Sequence, residues 1–126
     1  MSNYLSLDYG SKKIGVAYKI GADPIVPTES ITNTSKKQIM TEIVALCQDK
    51  HIDQIVIGLP LNLKGEQGHQ AKATIEFKKS LQKNLAIPIA LTDERFTSKI
   101  YHDTENIDSY SAAAILSNYL SYQQNK

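Results

Sequence analysis

The sequence is short of cysteine, of long apolar runs and of any excess of charge of one sign. Its one cysteine, Cys47, excludes an internal disulfide and a cysteine-based zinc site. Lysine and arginine number 14 and aspartate and glutamate 13, so a net charge of +1 excludes a histone-like protein that binds by bulk charge. No apolar run is long enough to span a membrane, and residues 1–10 lack the basic and apolar regions of a signal peptide. These absences favour a cytoplasmic protein.

The composition is that of one folded domain. Of the 126 residues, 41% are hydrophobic and 21% are charged, which is typical of a globular protein rather than a disordered one. A chain of this length buries a substantial core but is too short for two ordinary domains. Neither an internal repeat nor a linker divides it, so we expect a single domain over residues 1–126.

Apolar periodicity predicts strands that alternate with helices. The predicted strands are Tyr4–Asp8, Ile14–Ile20, Ile25–Val26, Ile55–Ile57 and Ile87–Thr92, and the predicted helices cover 35–50, 69–84 and 108–122, with a short helix before the last. The turn after the first strand indicates an antiparallel hairpin, and prolines beside the third strand favour an edge position. Helices between the later strands indicate parallel pairing. The expected fold is an α/β domain with a mixed five-stranded sheet and helices packed on it.

Acidic residues follow the strands that should point the same way. The first strand ends at Asp8, the fifth ends in Asp93-Glu94, and Asp108 opens the last helix on its apolar face. The carboxyl ends of such strands share one edge of the sheet, so three or four carboxylates should converge there. A carboxylate cluster is costly without a cation, and Mg²⁺ and Mn²⁺ prefer oxygen ligands. The residues therefore predict a divalent metal site suited to phosphodiester hydrolysis.

Each of these acids also has a purely structural interpretation. Asp8 is a typical turn residue, and Asp108 is a typical helix cap. Neighbouring residues of a strand face opposite sides of the sheet, so only one of Asp93 and Glu94 is expected to bind metal directly. We favour Glu94, with Asp93 as the secondary candidate.

Glycines and polar residues near these acids are candidates for contact with a phosphate backbone. The candidates for nucleic-acid binding are Gly10, Lys12, Lys13, Asn62, Lys64 and Arg95. Gly10 and Gly15 would let a phosphate approach Asp8, or they would serve turn geometry and close packing alone. Arg95, the one arginine of the chain, would hold a phosphate or pair with a carboxylate.

Four sequence blocks together resemble the YqgF (RuvX) family. The blocks are Leu7-Asp8-Tyr9-Gly10 with Ile14-Gly15-Val16-Ala17, Val56-Ile57-Gly58-Leu59-Pro60-Leu61-Asn62 with Gly65, Asp93-Glu94-Arg95-Phe96-Thr97-Ser98, and Ile107-Asp108 with Ala112-Ala113. They occur in the family's order and cover nearly the whole chain. The resemblance implies an RNase H-like fold and a metal-dependent nuclease. It also implies that Asp8, Glu94 and Asp108 are the catalytic, metal-binding acids.

The resemblance further implies a substrate. The family contains candidate nucleases for the 5′ end of pre-16S rRNA, so we expect structured RNA as partner, Mg²⁺ or Mn²⁺ as cofactor, and no membrane. One alternative is a Holliday junction resolvase, which needs two symmetric sites and hence a stable dimer; we expect a monomer or a weak dimer. A second alternative is a non-catalytic RNA-binding factor that retains the fold. The Asp-x-Gly hairpin also resembles the phosphate loop of actin-like ATPases, but those need two such domains.

The sequence departs from the family before the final acid. Family members usually carry a longer segment there, with another helix and a basic run. In this chain only Phe96–Ile107 joins Arg95 to Asp108, and Lys99 is its one lysine. Fewer basic residues are therefore available in this segment to grip a phosphate backbone.

Overall fold

A computed structural model describes residues 2–60, 68–93 and 107–124. In these residues the elements are β1 (Tyr4–Tyr9), β2 (Lys13–Lys19), β3 (Val26–Thr32), α1 (Lys36–Asp49), β4 (Gln54–Leu59), α2 (His69–Asn84), β5 (Ile89–Asp93) and α3 (Ile107–Gln124). The short helix expected before α3 lies outside the described residues. In the described part of the chain, no helix is long and apolar enough to cross a membrane.

The five strands form one mixed sheet, as predicted. Their order is β3-β2-β1-β4-β5. The pairs β1–β2 and β2–β3 are antiparallel, whereas β1–β4 and β4–β5 are parallel. The first, fourth and fifth strands therefore end at the same edge of the sheet, which confirms the expected placement of their carboxyl ends.

Two of the strand predictions need correction. β3 extends from Val26 to Thr32 instead of ending at Val26, and it lies at the predicted edge position. Among its residues only Ile31 is buried, so apolar periodicity could not reveal its full length. β5 begins at Ile89, two residues later than predicted. Pro88 precedes it, and its carbonyl accepts a hydrogen bond from the backbone N–H of Ile55 at 2.9 Å.

Helices cover both faces of the sheet, and the central strand β4 is buried on both sides. α1 and α2 pack on the face that carries Leu5, Leu7 and Ile57, and α3 packs on the face that carries Val56. The side chain of Ser35 caps α1 by accepting a hydrogen bond from the N–H of Gln38 at 3.1 Å, as the sequence pattern predicted. The carboxyl edge of β1, β4 and β5 therefore lies between a layer formed by α1 and α2 and a layer formed by α3.

Candidate active site

Asp8 lies near the end of β1, on the face of the sheet that α3 covers. Side chains alternate along a strand, so Asp8 shares this face with Ser6. The Ser6 hydroxyl Oγ donates a hydrogen bond to the carbonyl oxygen of Ala112 in α3 at 2.7 Å, and both residues are fully buried. This contact shows that α3 is the helix that packs on the face of β1 that carries Asp8.

Glycines occupy the strand positions on either side of Asp8. Asp8 pairs with Gly15 of β2 across the antiparallel ladder. On the other side Leu7 pairs with Ile57, so the next position of β4, Gly58, lies beside Asp8. Neither neighbour carries a side chain, so no side chain from the two flanking strand positions stands beside the Asp8 carboxylate. Gly58 belongs to one of the four family-like blocks, but its place beside Asp8 follows only from the register of β1 with β4.

The start of α3 lies level with Asp8. α3 runs antiparallel to β1, because Ala112 contacts Ser6 whereas Tyr119, further along the helix, accepts a hydrogen bond from Gln54 at the start of β4. From Ala112 back to position 108 is one helical turn of about 6 Å, and from Ser6 forward to Asp8 is also about 6 to 7 Å. The backbone of Asp108 is thus at the height of Asp8, on the same helix stripe as Ala112.

Asp108 is one residue inside α3, which begins at Ile107. Its backbone is helical, so it does not occupy the cap position that the structural interpretation assigned to it.

Asp93 lies on the opposite face of the sheet from Asp8. In β5 Thr92 pairs with Gly58, and Asp93 pairs with Leu59. Thr92 therefore shares the face of Asp8, and Asp93 belongs to the face that α1 and α2 cover. The structure does not bring Asp93 and Asp8 together on one face. Glu94 and Arg95 lie outside the described residues, as do Asn62 and Lys64.

The turn after β1 places Gly10, Lys12 and Lys13 next to the carboxyl edge. A Cβ atom on Gly10 would come within 2.5 Å of the Lys13 carbonyl oxygen, so this tight turn requires glycine there. The side-chain amide of Asn33 donates a hydrogen bond to the Gly10 carbonyl at 2.7 Å, and its backbone N–H donates to the Lys12 carbonyl at 2.9 Å. Asn33 thereby fastens the turn to the segment that precedes α1, a contact that no sequence pattern indicated.

The donor set of this edge suits a hard divalent cation, because carboxylate oxygens are the ligands that Mg²⁺ and Mn²⁺ prefer. Among the side chains that the structure describes, no three acidic, histidine or cysteine residues are grouped closely enough to hold a metal ion. Asp8 belongs to that described set, whereas Glu94 does not, and for Asp108 only the backbone position is described. The one described carboxylate among the three candidate ligands, that of Asp8, is of the type that such a cation takes.

The chain matches a known family over nearly its full length. The sequence model of the RuvX family, described as Holliday junction resolvase, matches residues 2–122. A protein of Sulfurihydrogenibium sp., named "Putative pre-16S rRNA nuclease", is 43% identical over 136 residues, which cover 95% of this chain and 90% of that protein. Proteins with the same name from Chloroflexus aurantiacus and Rickettsia bellii are 33% and 41% identical; the first match covers 92% of this chain and 84% of the relative, the second 75% and 62%.

Solved structures with little sequence similarity share the fold. Thermus thermophilus RuvC in complex with a Holliday junction substrate matches with a TM-score of 0.68 at 10% identity, covering 98% of this chain and 96% of that one. The fowlpox virus resolvase with Holliday junction DNA matches with a TM-score of 0.54 at 14% identity, covering 98% and 97%. These matches confirm the predicted RNase H-like fold.

Proposed function

Because this chain belongs to the RuvX family, we propose that it is a metal-dependent nuclease that processes the 5′ end of pre-16S rRNA. Family membership makes it a hydrolase of the nuclease class. The metal dependence, the RNA substrate and the roles of individual residues are parts of the proposal. The observation that carries it is the equal height of Asp8 in β1 and position 108 in α3, on the one face of the sheet where glycines flank Asp8.

We assign Asp8, Asp108 and Glu94 as the acids that hold the metal. A bound Mg²⁺ or Mn²⁺ would supply Lewis-acid activation of water and stabilisation of the leaving oxygen. Asp8 is well suited because it stands on a central strand whose backbone is paired on both sides. Rigid placement of this kind keeps a ligand in its productive geometry. Asp93 has no metal-binding role in this proposal, since it belongs to the other face of the sheet.

The β1–β2 turn would hold the substrate backbone. Lys12 and Lys13 are exposed and follow Asp8 by four and five residues, so their ammonium groups can neutralise phosphates next to the scissile bond. Gly10 supports this role, because the tight turn that it permits brings both lysines to the carboxyl edge. Asn62, Lys64 and Arg95 remain further candidates for phosphate contact.

RNA is favoured over junction DNA by the names of the relatives. The proteins that are 33% to 43% identical are named for pre-16S rRNA. The description of the family model favours the second candidate, a Holliday junction resolvase, for which two symmetric sites in a stable dimer would be needed. A pre-rRNA substrate would place the protein in the cytoplasm as a monomer or weak dimer.

The deciding experiment compares substrates and metals. The purified protein is incubated with end-labelled pre-16S rRNA, a four-way DNA junction and single strands, each with Mn²⁺, Mg²⁺ or EDTA. We expect cleavage of the rRNA precursor in Mn²⁺ or Mg²⁺ and none in EDTA. Preferred cleavage of the junction would favour the resolvase. Binding of RNA without any cleavage, under all metal conditions, would instead favour the non-catalytic RNA-binding factor.

A further inference from the structure

Helices α1 and α2 leave a groove between them on the face of the sheet opposite Asp8. The groove has a volume of about 650 Å³. Met40, Val44 and other small or apolar residues line its floor. Among the described residues that line it, the charged ones are Lys36, Lys37 and Lys83, and none is acidic. The groove therefore combines an apolar floor with positive charge at its rim.

This groove continues to the carboxyl edge of β1. A smaller cavity of about 180 Å³ shares Lys36 and Met40 with it and extends to Tyr9, the residue after Asp8. There the rings of Tyr9 and Phe77 are stacked, with centroids 4.4 Å apart and planes inclined by 25°. We call these two neighbouring cavities the path: it runs between α1 and α2 and reaches the carboxyl edge of β1 at Tyr9, on the face of the sheet opposite Asp8.

We infer that this path binds a single-stranded segment of the nucleic-acid substrate that flanks the bond to be cut. The inference rests on the proposed nuclease function and adds a second region of contact to it. Proteins that bind single strands combine a positively charged groove, which follows the phosphates, with aromatic or apolar surfaces, which contact the bases. Lys36, Lys37 and Lys83 would supply the first, and Tyr9 and Met40 the second.

The dimensions also suit a single strand. The path follows α1 from Lys36 to Gln48, a length of about 18 Å at the rise of an α-helix. A groove of this length and volume admits a few nucleotides in extended form, but it does not admit a double helix.

The charge on the two sides of α1 explains why a phosphate backbone would enter this groove. On its other side, α1 and β3 border a groove of about 410 Å³ that is lined by Glu29, Glu42 and Asp49, with no lysine among its described lining residues. Phosphates are repelled from that side and attracted to the side of Lys36 and Lys37.

Glu76 is the one acidic residue described along the path, and it lines the smaller cavity. Its carboxylate lies 3.5 Å from the ammonium group of Lys79, and both side chains are exposed. Since the rings of Tyr9 and Phe77 border the same cavity, we expect bases and not phosphates to occupy this part of the path.

The inference is tested by binding in EDTA, where cleavage does not interfere. The probe is a fluorescently labelled 12-nucleotide oligouridine RNA, and the dissociation constant is measured between 50 and 200 mM salt. The groove variant combines Lys36→Gln, Lys37→Gln and Lys83→Gln. The matched control combines Lys50→Gln, Lys72→Gln and Lys78→Gln, which removes the same charge from lysines that line neither cavity.

Loss of three phosphate contacts should weaken binding roughly ten- to hundredfold and reduce the slope of log affinity against log salt by about 2, since each contact to a single strand contributes about 0.7. The control should change the slope by less than half as much. Equal effects of the two triple variants would overturn the inference, because the lysines would then act only through net charge. The inference would also be overturned if the groove variant lost affinity for a polyglutamate peptide but kept its affinity for the RNA, because the groove would then bind an acidic peptide and not a nucleic acid.

The result is separable from the proposed function. If the wild-type protein cleaves RNA in Mn²⁺ but the groove variant binds oligouridine normally, the groove assignment fails and the nuclease proposal stands. If the wild-type protein cleaves nothing but the groove variant alone loses RNA binding, the nuclease proposal fails and the groove remains a single-strand site. A circular dichroism spectrum and melting temperature equal to wild type show that each triple variant is folded.

Discussion

The hydroxyl of Ser6 donates a hydrogen bond to the carbonyl of Ala112 at 2.7 Å, between two residues that are completely buried. This bond joins the central strand β1 to α3 across 106 positions of sequence. Asp8 stands two residues beyond Ser6, and Asp108 stands four residues before Ala112. One buried contact therefore sets the relative height of two candidate metal ligands.

Replacing Ser6 with alanine tests whether this bond positions α3. A buried hydrogen bond contributes about 1 kcal/mol net, and leaving buried polar groups without a partner costs about 1 to 3 kcal/mol. We expect Ser6→Ala to lower the free energy of unfolding by about 1 to 2 kcal/mol, measured by urea denaturation, and to slow RNA cleavage by a larger factor than the fraction of unfolded protein explains.

Thr74→Val is the matched control for Ser6→Ala. The Thr74 hydroxyl is also buried, but it donates to the Gln70 carbonyl within α2 at 2.8 Å and joins no two elements. Its removal should leave the cleavage rate of the folded protein unchanged. An equal loss of cleavage in both variants would show that Ser6 has no specific positioning role.

Asn33→Ala should loosen the turn that carries Lys12 and Lys13. The variant loses the 2.7 Å hydrogen bond from the side-chain amide to the Gly10 carbonyl. We expect faster hydrogen exchange of the backbone amides of residues 10–13 and a stability loss of about 1 kcal/mol. Asn84→Ala is the comparison, because its side-chain amide donates a hydrogen bond to the Ser80 carbonyl of its own helix, at an exposed site. If Asn84→Ala destabilises as much as Asn33→Ala, the clamp assigned to Asn33 is absent.

Cys47 should be chemically inert in the folded protein. Its side chain is buried in the core under α1, and this burial raises the pKa of the thiol from 9.0 to about 11. The thiolate is the reactive form, so we expect no labelling by iodoacetamide at pH 8 without denaturant and complete labelling in guanidinium. Rapid labelling of the native protein would contradict this assignment.

The same pKa shift predicts a pH dependence of stability. Between pH 9 and 11 the unfolded chain releases the Cys47 proton while the folded chain retains it, so stability falls as pH rises through this window. The contribution is on the order of 2 kcal/mol. To isolate the contribution of this thiol, the quantity to measure is the difference in unfolding free energy between wild type and Cys47→Ala. As pH rises from 9 to 11, the unfolding free energy of wild type should fall relative to that of Cys47→Ala. A difference between the two proteins that does not change with pH would contradict the raised pKa of the thiol.

The sequence predicted the sheet well wherever one apolar pattern dominated. The run Ile55–Ile57 indicated a strand buried on both faces, and the capping pattern at Ser35 located the start of α1. The pattern failed for β3, since four of its seven residues are polar and, among the described strands, it lies at the edge of the sheet. Strands of this kind are recognisable only from the pairing that they make.

The candidate site was less accessible to sequence reasoning. Alternation could separate Asp93 from Glu94, but only the register of β4 with β5 shows that Asp93 is on the face opposite Asp8. The clamp from Asn33 to Gly10 and the place of Gly58 beside Asp8 are long-range relationships, and no local spacing encodes them. The groove between α1 and α2 likewise depends on how two helices 20 residues apart in sequence pack together.

The cleavage rates of Asp8→Asn and Asp93→Asn should differ, because the two residues lie on opposite faces of the sheet. Each variant replaces a carboxylate near a strand end by an amide of the same shape. We expect Asp8→Asn to lose cleavage in Mn²⁺ by several orders of magnitude, because a metal ligand is removed. Asp93→Asn should retain activity within a few-fold of wild type. A comparable loss in both variants would show that the division by face does not describe the site.

Stabilisation by Mn²⁺ tests the central claim, that the acids on the α3 face hold the metal. A ligand present at 100 times its dissociation constant stabilises the folded state by about 2.7 kcal/mol, which corresponds to several degrees in melting temperature for a chain of this size. The measurement compares melting temperatures in saturating Mn²⁺ and in EDTA for wild type, Asp8→Asn, Asp108→Asn and Asp93→Asn. We predict that wild type and Asp93→Asn gain several degrees in Mn²⁺, and that Asp8→Asn and Asp108→Asn gain almost none. A full Mn²⁺ gain in Asp8→Asn would contradict the account.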